Sequence, residues 1–373
     1  MKTIAFDVSY IHRQRTGYGR FSLELLKALI AGDRQNCYLL HGWSYSLDAE
    51  IIRSFKRGNV DVKIAKIPGF IKRAYWNTLR APKLETLIGD FDIFHGAEPM
   101  LPPTAKPKIA TLYDLSYKRF PQFFERSVLR WNSYVQRSVK EASMIIVPSE
   151  NTKNDLLELF HISAEKIIVV YLPVSEQFSP VKSEHDDTVK RRYGLTGDFI
   201  LFTGTMEPRK NIPFIISGFE KLQKNHPDLQ LVLAGKKGWL SDEIFKSMDR
   251  SPSRQKIKYL DFVSEDDLSS LYRSALCFVY PSIYEGYGLP VLEAMASGTP
   301  VITSKSSSLG EIAGDAALLI DPLRIDELVS AMEMIYSDQS LRNDLITKGI
   351  DRVKQFSRKN AVDKVLNIYQ SIG

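Results

Sequence analysis

Two adjacent cations, Arg209 and Lys210, follow a predicted strand and precede a predicted helix that begins near Asn211, its expected N-cap. The connecting loop contains Gly204 and Thr205. A guanidinium can hold phosphate through two hydrogen bonds, and an ammonium adds a mobile charge. Because a helix N-terminus also attracts anions, the segment favours phosphate binding. An ordinary surface Arg-Lys pair is the alternative.

A second loop-to-helix junction carries two carboxylates, Glu285 and Glu293, eight residues apart. The glycines between them let a ligand approach the backbone, and Pro290 starts a short helix whose free N–H groups can bind phosphate. Carboxylates accept hydrogen bonds from neutral hydroxyls, such as those of ribose or a hexose. The junction therefore predicts a site for a phosphorylated sugar. The alternative is a solvated Glu285 and a Glu293 that only stabilises its own helix.

The pattern EGYGLPVLEAMASGTPVI, preceded by GTMEPRKN and LVLAGKKG, resembles the retaining glycosyltransferases of family 4, which have the GT-B fold. The likeness covers most of the chain and is most specific over residues 199 to 321. It implies that Arg209 and Lys210 bind the donor diphosphate, that Glu293 binds the ribose, and that Glu285 contacts the transferred sugar. The donor-binding residues that it implies are Gly17, Tyr18, Gly19, Gly204, Thr205, Arg209, Lys210, Gly235, Phe262, Val263, Glu285, Gly286, Tyr287, Gly288, Leu289 and Glu293.

The amino-terminal half resembles the family less specifically. Its loop at residues 13 to 21 matches the glycine-rich acceptor and diphosphate loop through Gly17, Tyr18 and Gly19. A lone G-x-G is weak evidence for a nucleotide site, but this one follows the first predicted strand, where ligands of such sheets bind.

One departure from the family concerns the histidine that is credited with contacting the donor sugar. This chain has Tyr113 and Asp114 where the family often has His-Asp, so one of the two is expected to replace it. His95 ends another strand, although such a histidine more often has a structural role. Ser149 matches a common family serine, with a helix N-cap as the alternative. The predicted catalytic residues are Arg209, Lys210, Glu285, Asp114 and His95, and the predicted acceptor-binding residues are Tyr113 and Ser149.

The expected chemistry is stabilisation of charge on a departing diphosphate and on an oxocarbenium-like sugar. Arg209, Lys210 and helix N-termini would supply it, at about 10²–10³-fold in rate per well-placed donor. Retention of configuration is implied by the resemblance. No acidic pair of the D-x-D kind follows a strand in a sugar-site context, so we expect no cofactor and a metal-independent reaction.

The elements that must position these residues are short β-rich runs that alternate with helical patterns, twice over. They predict an α/β fold of the GT-B class, with two doubly wound Rossmann-like domains that face each other across a cleft. We predict an amino-terminal acceptor domain at 1–178, onto which a helix at 356–373 packs back, and a nucleotide-sugar domain at 179–355. Residues 179–192 are polar and are expected to form a linker.

Composition limits the remaining possibilities. The chain has 373 residues, 25% charged and 44% hydrophobic, which excludes a disordered or fibrous protein. No apolar run approaches the roughly 18 residues of a membrane span, so we expect a cytoplasmic protein. Residues 1–180 hold 25 Lys and Arg against 18 Asp and Glu. Cations and aromatics mix at 71–80 and 117–131, which favours peripheral contact with an anionic inner membrane face and a lipid-linked acceptor.

Several functions stay open at this point. Transfer of a hexose to a glycan or lipid-linked acceptor in polysaccharide biosynthesis is favoured, with a UDP-hexose such as UDP-glucose as donor and GDP-mannose close behind. An inverting GT-B transferase or a nucleotide-sugar epimerase is the nearest alternative. A nucleic-acid-binding protein is remote, because no nucleic-acid motif accompanies the basic half, and no nucleic-acid partner is expected. An NAD-dependent dehydrogenase is disfavoured, because the first loop lacks G-x-G-x-x-G.

Overall fold

The computed structural model describes residues 1–12, 17–43, 47–65, 71, 74–97, 100–129 and 131–372. It divides into two compact units. The amino-terminal unit comprises Met1–Lys118, Arg126–Pro173 and the chain from Ser357, and the carboxy-terminal unit comprises Arg119–Glu125 and Val174–Phe356. The sequence placed the boundaries after 178 and 355 and did not anticipate that Arg119–Glu125 belongs to the second unit.

The amino-terminal unit is built on a parallel sheet of seven strands in the order β3-β2-β1-β4-β5-β6-β7. The order reverses direction at β1, as in a doubly wound sheet. Parallel sheets are covered on both faces, so their strands are continuous apolar runs rather than alternating ones. The strands are β1 Thr3–Asp7, β2 Cys37–Trp43, β3 Val60–Ala65, β4 Ile93–Gly96, β5 Lys108–Thr111, β6 Met144–Val147 and β7 Ile167–Val169.

Helices connect these strands, and the last helix of the chain, Arg358–Ser371, belongs to the same unit. It packs on the first helix, where Val362 lies close to Gly32. The Lys2 ammonium fixes its end through a hydrogen bond of 2.8 Å to the carbonyl oxygen of Tyr369. The other helices that begin in this half are Gly17–Gly32, Ala49–Ser54, Leu84–Ile88, Ser116–Arg119, Arg126–Leu129, Trp131–Glu141 and Glu150–Phe160, with a π-helix at Ala74–Leu79 and 3₁₀ turns at Pro121–Phe123 and Ala164–Lys166.

The carboxy-terminal unit repeats this plan with six parallel strands in the order β10-β9-β8-β11-β12-β13. Its strands are β8 Phe199–Thr203, β9 Gln230–Ala234, β10 Ile257–Leu260, β11 Cys277–Tyr280, β12 Val301–Ser304 and β13 Leu318–Ile320. Its helices are Glu184–Arg192, Ile212–Gln223, Asp242–Arg250, Glu265–Ser274, Leu289–Ala296, Ser307–Ala313, Ile325–Ser337 and Gln339–Lys354, with 3₁₀ turns at Pro208–Lys210 and Arg254–Lys256. These two sheet orders confirm the prediction of two doubly wound α/β units.

The expected linker at 179–192 is wrong over most of its length, because residues Glu184–Arg192 form a helix. Ser183 caps it in a capping box with Asp186. The acidic residues lie in the first turn and the basic residues in the last, which is the charge order that the helix dipole favours. An ion pair of 2.6 Å between Asp186 and Arg273 holds the helix against Glu265–Ser274.

Within the described ranges, every helix is too short or too polar to cross a bilayer.

Candidate active site

A buried cluster of four charges lies where strand β8 ends. Arg209 donates to Glu207 over 2.6 Å and to Glu285 over 2.7 Å. Lys210 donates to the other oxygen of Glu285 and to the hydroxyl of Tyr280, both over 2.5 Å. Because Glu285 bonds to both cations, it links the turn after β8 to the loop after β11. Arg209, Lys210 and Glu285 were all predicted as site residues from the sequence. Glu207 and Tyr280 were not predicted.

Burial and charge act in opposite directions on these groups. Burial raises the pKa of Glu285, but Arg209 and Lys210 outweigh burial and bring that pKa to about 2. Burial and the neighbouring Arg209 lower the pKa of Lys210 in spite of Glu285 and Glu207. With Arg209 and Lys210 charged, the cluster contains two carboxylates and two cations, so its net charge is zero.

The loop that carries Glu285 is held by serines that the sequence did not single out. The Ser307 hydroxyl accepts from the Glu285 N–H over 3.1 Å. The Ser308 hydroxyl donates to the carbonyls of Glu285 and Tyr287, over 2.9 and 2.6 Å. Gly288 then precedes the helix Leu289–Ala296 with a φ of 119°, and a Cβ there would lie 2.9 Å from Leu309. The predicted loop residues are therefore fixed in place ahead of a helix N-terminus.

Glu293 lies on that helix and belongs to a separate hydrogen-bonded group. Its side chain is buried, and Oε2 accepts from the Tyr272 hydroxyl over 3.1 Å. The same hydroxyl lies 2.7 Å from Thr203 Oγ1, at the end of β8. The structure thus places the two predicted carboxylates in two different groups. Tyr272 and Thr203 were not predicted.

Gly204 and Gly235 directly follow two neighbouring strands of this unit, β8 and β9. Both have positive φ, at 147° and 142°. A Cβ on Gly235 would lie 2.0 Å from the carbonyl oxygen of Gly204, so no other residue fits there. Thr205 follows Gly204 at the same sheet edge. The structure gives Gly235 a packing reason and Gly204 only a conformational one, its positive φ, and their contact with a donor stays a prediction.

Phe262 and Val263, two of the predicted donor-binding residues, follow strand β10. Phe262 is 49% exposed, and the Lys236 ammonium lies 5.1 Å from the centre of its ring. Val263 is buried. An exposed ring beside a cation is a suitable surface for a nucleobase, because it offers a face for stacking.

In the amino-terminal unit, three predicted residues lie together. Tyr18 stacks on Tyr113 with ring centres 4.8 Å apart, and its hydroxyl donates to Asp114 over 2.9 Å. Asp114 also accepts from the Ser116 N–H and hydroxyl, over 3.0 and 2.6 Å. The hydroxyls of Ser22 and Tyr113 are hydrogen-bonded. The residues at the position of the missing family histidine thus contact the predicted glycine-rich loop.

The rest of that loop is only partly described. Gly17 is exposed at the first turn of the helix Gly17–Gly32, and Gly19 is buried in it. Residues 13–16 lie outside the described residues.

His95 is enclosed in the core of the amino-terminal unit, and its predicted catalytic role stays a prediction. It is fully buried, with Nδ1 2.7 Å from the Tyr369 hydroxyl and Nε2 2.9 Å from Thr111 Oγ1. Burial lowers its pKa to about 3, so the ring is neutral at physiological pH. The ring joins β4 and β5 to the last helix of the chain. Because the side chain is enclosed in this way, its surroundings do not favour a role for His95 as a base or as a contact to the sugar.

Ser149 is a helix N-cap, which is the alternative that the sequence left open. It is buried and caps the helix Glu150–Phe160, because its hydroxyl accepts from the Thr152 N–H over 3.1 Å. Its contact with an acceptor stays a prediction.

Among the described residues, no group of three or more His, Cys, Asp or Glu side chains is arranged to hold a metal ion. Metal independence of the reaction stays a prediction.

Comparison with known proteins covers both units. Residues 186–352 match the family described as glycosyl transferases group 1, and residues 15–178 match glycosyltransferase family 4. The chain is 30% identical over 378 residues to O-antigen chain mannosyltransferase B of Escherichia coli. This match covers 98% of this chain and 99% of that protein. It is 29% identical over 244 residues to the serotype-specific mannosyltransferase WbdA of Escherichia coli, of which the match covers 30%.

Solved structures agree with the fold. The chain is similar over its whole length to Anabaena HepE, solved with UDP and glucose, with a TM-score of 0.77 and 17% identity. It is also similar to WaaG, a glycosyltransferase of lipopolysaccharide biosynthesis, with a TM-score of 0.74 and 12% identity over 98% of this chain and 99% of that one. Likenesses at this level of identity concern the fold alone, and they confirm the predicted GT-B class.

Proposed function

Because this chain belongs to family 4 of the glycosyltransferases, we propose that it transfers mannose from GDP-mannose to a growing polysaccharide of the O-antigen kind. The observation that carries the proposal is the Arg209-Lys210 pair, with side chains 13% and 7% exposed, at the carboxyl edge of the second sheet, beside two helix N-termini. Such a site suits a diphosphate. Mannose is favoured because the full-length relative is a mannosyltransferase. This reverses the order in which the sequence placed the two donors.

The donor diphosphate would compete with Glu285 for the cations. In the ligand-free structure Glu285 bonds to both Arg209 and Lys210. A diphosphate that enters the cluster adds negative charge to a group whose net charge is zero, and we propose that it takes over at least one of these bonds. The released carboxylate can then accept hydrogen bonds from hydroxyls of the transferred sugar.

The same groups would stabilise the leaving diphosphate during transfer. Arg209 is held from two sides. Glu207 accepts from it on one side, and Glu285 and the Tyr284 carbonyl, the latter over 3.1 Å, accept from it on the other. Donors that are fixed before the reaction need little reorganisation as charge develops, which is the largest single contribution in many enzymes. We propose that the sugar keeps its anomeric configuration. The nearest alternative, an inverting transfer, needs a base in the amino-terminal unit. Among the residues that the structure describes, Asp114 is our candidate for that base.

The configuration of the product tests the two alternatives. Proton NMR of the first product formed from an α-linked donor shows an α-linkage for retention and a β-linkage for inversion. The Asp114→Asn variant adds a second test, because complete loss of transfer with an intact donor affinity would favour inversion.

We also propose a lipid-linked acceptor at an anionic membrane surface. Lys118, one of the cations behind this idea, donates to the Leu159 carbonyl over 3.2 Å and lies 4.1 Å from the ring centre of Phe160. Lys72 and Arg73 lie outside the described residues. Flotation with vesicles rich in phosphatidylglycerol should detect binding, and Lys72→Gln with Arg73→Gln should reduce it. Vesicle binding equal to that of the unchanged protein would refute this part of the proposal.

The donor is identified by thermal unfolding with GDP, UDP, ADP and NAD. A ligand at 100 times its Kd stabilises the native state by about 2.7 kcal/mol. GDP should raise the melting temperature of the unchanged protein and of Arg250→Ala, an exposed control in the same unit. It should fail to do so in Arg209→Ala and Glu293→Ala. Stabilisation by UDP alone would move the donor to a UDP-hexose, and stabilisation by NAD alone or by none would refute the transferase site.

A further inference from the structure

The Tyr272 hydroxyl lies between two of the elements that form the candidate site. It is 3.1 Å from Glu293 Oε2 and 2.7 Å from Thr203 Oγ1. An ionised carboxylate only accepts hydrogen bonds, and a phenol has a single proton. With Glu293 ionised, Tyr272 therefore donates to Glu293 and accepts from Thr203. The direction of both bonds follows from the residue types.

The packing around the ring leaves this hydroxyl little freedom. Tyr272 is fully buried, and Phe178 and Phe278 meet its ring edge to face, with centres 5.8 and 5.3 Å away. Its backbone carbonyl accepts from the Thr299 hydroxyl over 2.7 Å. The hydroxyl is thus placed by the core of the unit rather than by a mobile surface loop.

We propose that Tyr272 is a positioning residue for recognition of the donor's ribose. It does not itself touch the nucleotide. By donating to Oε2 it fixes the rotation of the Glu293 carboxyl group, and the bond from Thr203 polarises its hydroxyl and strengthens this donation. The inference rests on the proposed function, in which Glu293 binds the ribose hydroxyls. Its consequence is that Tyr272 governs the preference for ribonucleotides over deoxyribonucleotides.

The test compares a nucleoside diphosphate with its 2′-deoxy and 3′-deoxy forms. Calorimetry gives the Kd values of GDP, 2′-deoxy-GDP and 3′-deoxy-GDP for the unchanged protein and for Tyr272→Phe. The lost bond is to a charged group, so GDP should bind roughly tenfold more weakly to the variant. At least one deoxy form should bind within about twofold of its original strength, since the affected contact is already absent there. A preference for GDP that survives in Tyr272→Phe would overturn the proposal.

Two controls separate positioning from general damage to the unit. Glu293→Gln should reduce the same preference, and adding Tyr272→Phe to it should change the preference no further, because the two act as one unit. Tyr280→Phe removes another buried phenol, one that bonds to Lys210 on the phosphate side. It should weaken GDP and the deoxy forms alike. Equal losses for GDP and the deoxy forms in Tyr272→Phe would mean a merely structural role.

The remaining outcomes are distinguishable. If Tyr272→Phe does not fold, Thr203→Val replaces it, because that change removes the donor to Tyr272 at nearly constant volume and should lower the ribose preference in the same direction. If the unchanged protein binds neither GDP, UDP nor ADP, the proposed function fails. If UDP or ADP binds in place of GDP, its deoxy forms are used. If a nucleotide binds but Tyr272→Phe and Thr203→Val both keep the full ribose preference, only the role of Tyr272 is refuted.

Discussion

Replacing Glu285 by glutamine should destabilise the free protein and tighten its binding of a nucleoside diphosphate. Glu285 bonds to Lys210 and Arg209, the cations expected to hold the diphosphate. Glutamine keeps the size of the side chain but removes its charge. The folded state then loses a paired carboxylate, and the ligand loses its competitor. The two effects have opposite signs, which a general disturbance of the site would not produce.

The pKa of Glu285 sets the size of the first effect. It is about 2 in the folded protein, well below the 4.5 of an ordinary glutamate. At about 1.4 kcal/mol per unit, the carboxylate stabilises the folded state by about 3 kcal/mol at neutral pH. Removing one partner of a buried ion pair typically costs a similar 3–5 kcal/mol. We therefore expect the melting temperature of Glu285→Gln to fall by about 6–12 °C.

The charge balance of the cluster sets the size of the second effect. Without Glu285, one carboxylate faces two cations, so the local charge changes from zero to +1. A unit charge 4 Å from another is worth about 4 kcal/mol at an effective dielectric constant of 20. Even a third of this value tightens GDP binding about tenfold. Transfer should nevertheless slow, because the sugar loses the carboxylate proposed to contact it.

Calorimetry with GDP at pH 7 and denaturant unfolding without ligand measure the two effects separately. Glu243→Gln is the matched control, because Glu243 forms an exposed ion pair with Lys246 that should matter little to either quantity. Weaker or unchanged GDP binding in Glu285→Gln would refute the idea that Glu285 and the diphosphate compete for the same cations.

Three other predictions concern single contacts. Arg209→Lys should weaken GDP binding roughly tenfold in calorimetry, because an ammonium cannot bond to two oxygens in the guanidinium geometry; equal affinity would count against a bidentate contact. The pKa of His95 is lowered to about 3 from 6.5, so its stabilising effect is complete above pH 6.5 and declines as the pH falls towards 3. His95→Gln should unfold at a lower denaturant concentration than the unchanged protein at pH 7. Between pH 7 and 5 its free energy of unfolding should fall by less than that of the unchanged protein. Gly235→Ala should lower the melting temperature sharply, because its Cβ would overlap the Gly204 carbonyl oxygen; a melting temperature within a few degrees of the original would show that this backbone can move.

The sequence predicted those features that depend on neighbours along the chain. Buried parallel strands are short apolar runs, so FILFT at 199–203 and its counterparts could be located from composition alone. The Arg209-Lys210 pair and the spacing of Glu285 and Glu293 are also local. The helix at Glu184–Arg192 was missed because nearly every residue in it is polar. Its signal was the order of its charges, acidic first and basic last.

The features that the sequence missed depend on which strands and helices become neighbours in space. Tyr272 meets Glu293 across 21 residues, and Tyr280 meets Lys210 across 70. No spacing rule connects such pairs, because the sheet order β10-β9-β8-β11-β12-β13 decides them. Glu207 was closer to being found. An acidic residue two positions before an arginine that is predicted to bind phosphate is anomalous, and the structure explains it as the partner of Arg209.

That partnership also explains why carboxylates lie in the site proposed to bind the donor diphosphate. A buried cation without a partner costs several kcal/mol, so Arg209 and Lys210 need counter-charges before any ligand arrives. Glu207 bonds to Arg209 alone, from the same turn, whereas Glu285 reaches both cations from the loop that precedes a second helix N-terminus. Glu285 is therefore the partner that a diphosphate would displace, since its two bonds are those that the phosphate oxygens need. On this proposal, the contact that stabilises the free enzyme is the one that its substrate must break, and affinity for the donor is limited by the stability of the empty site.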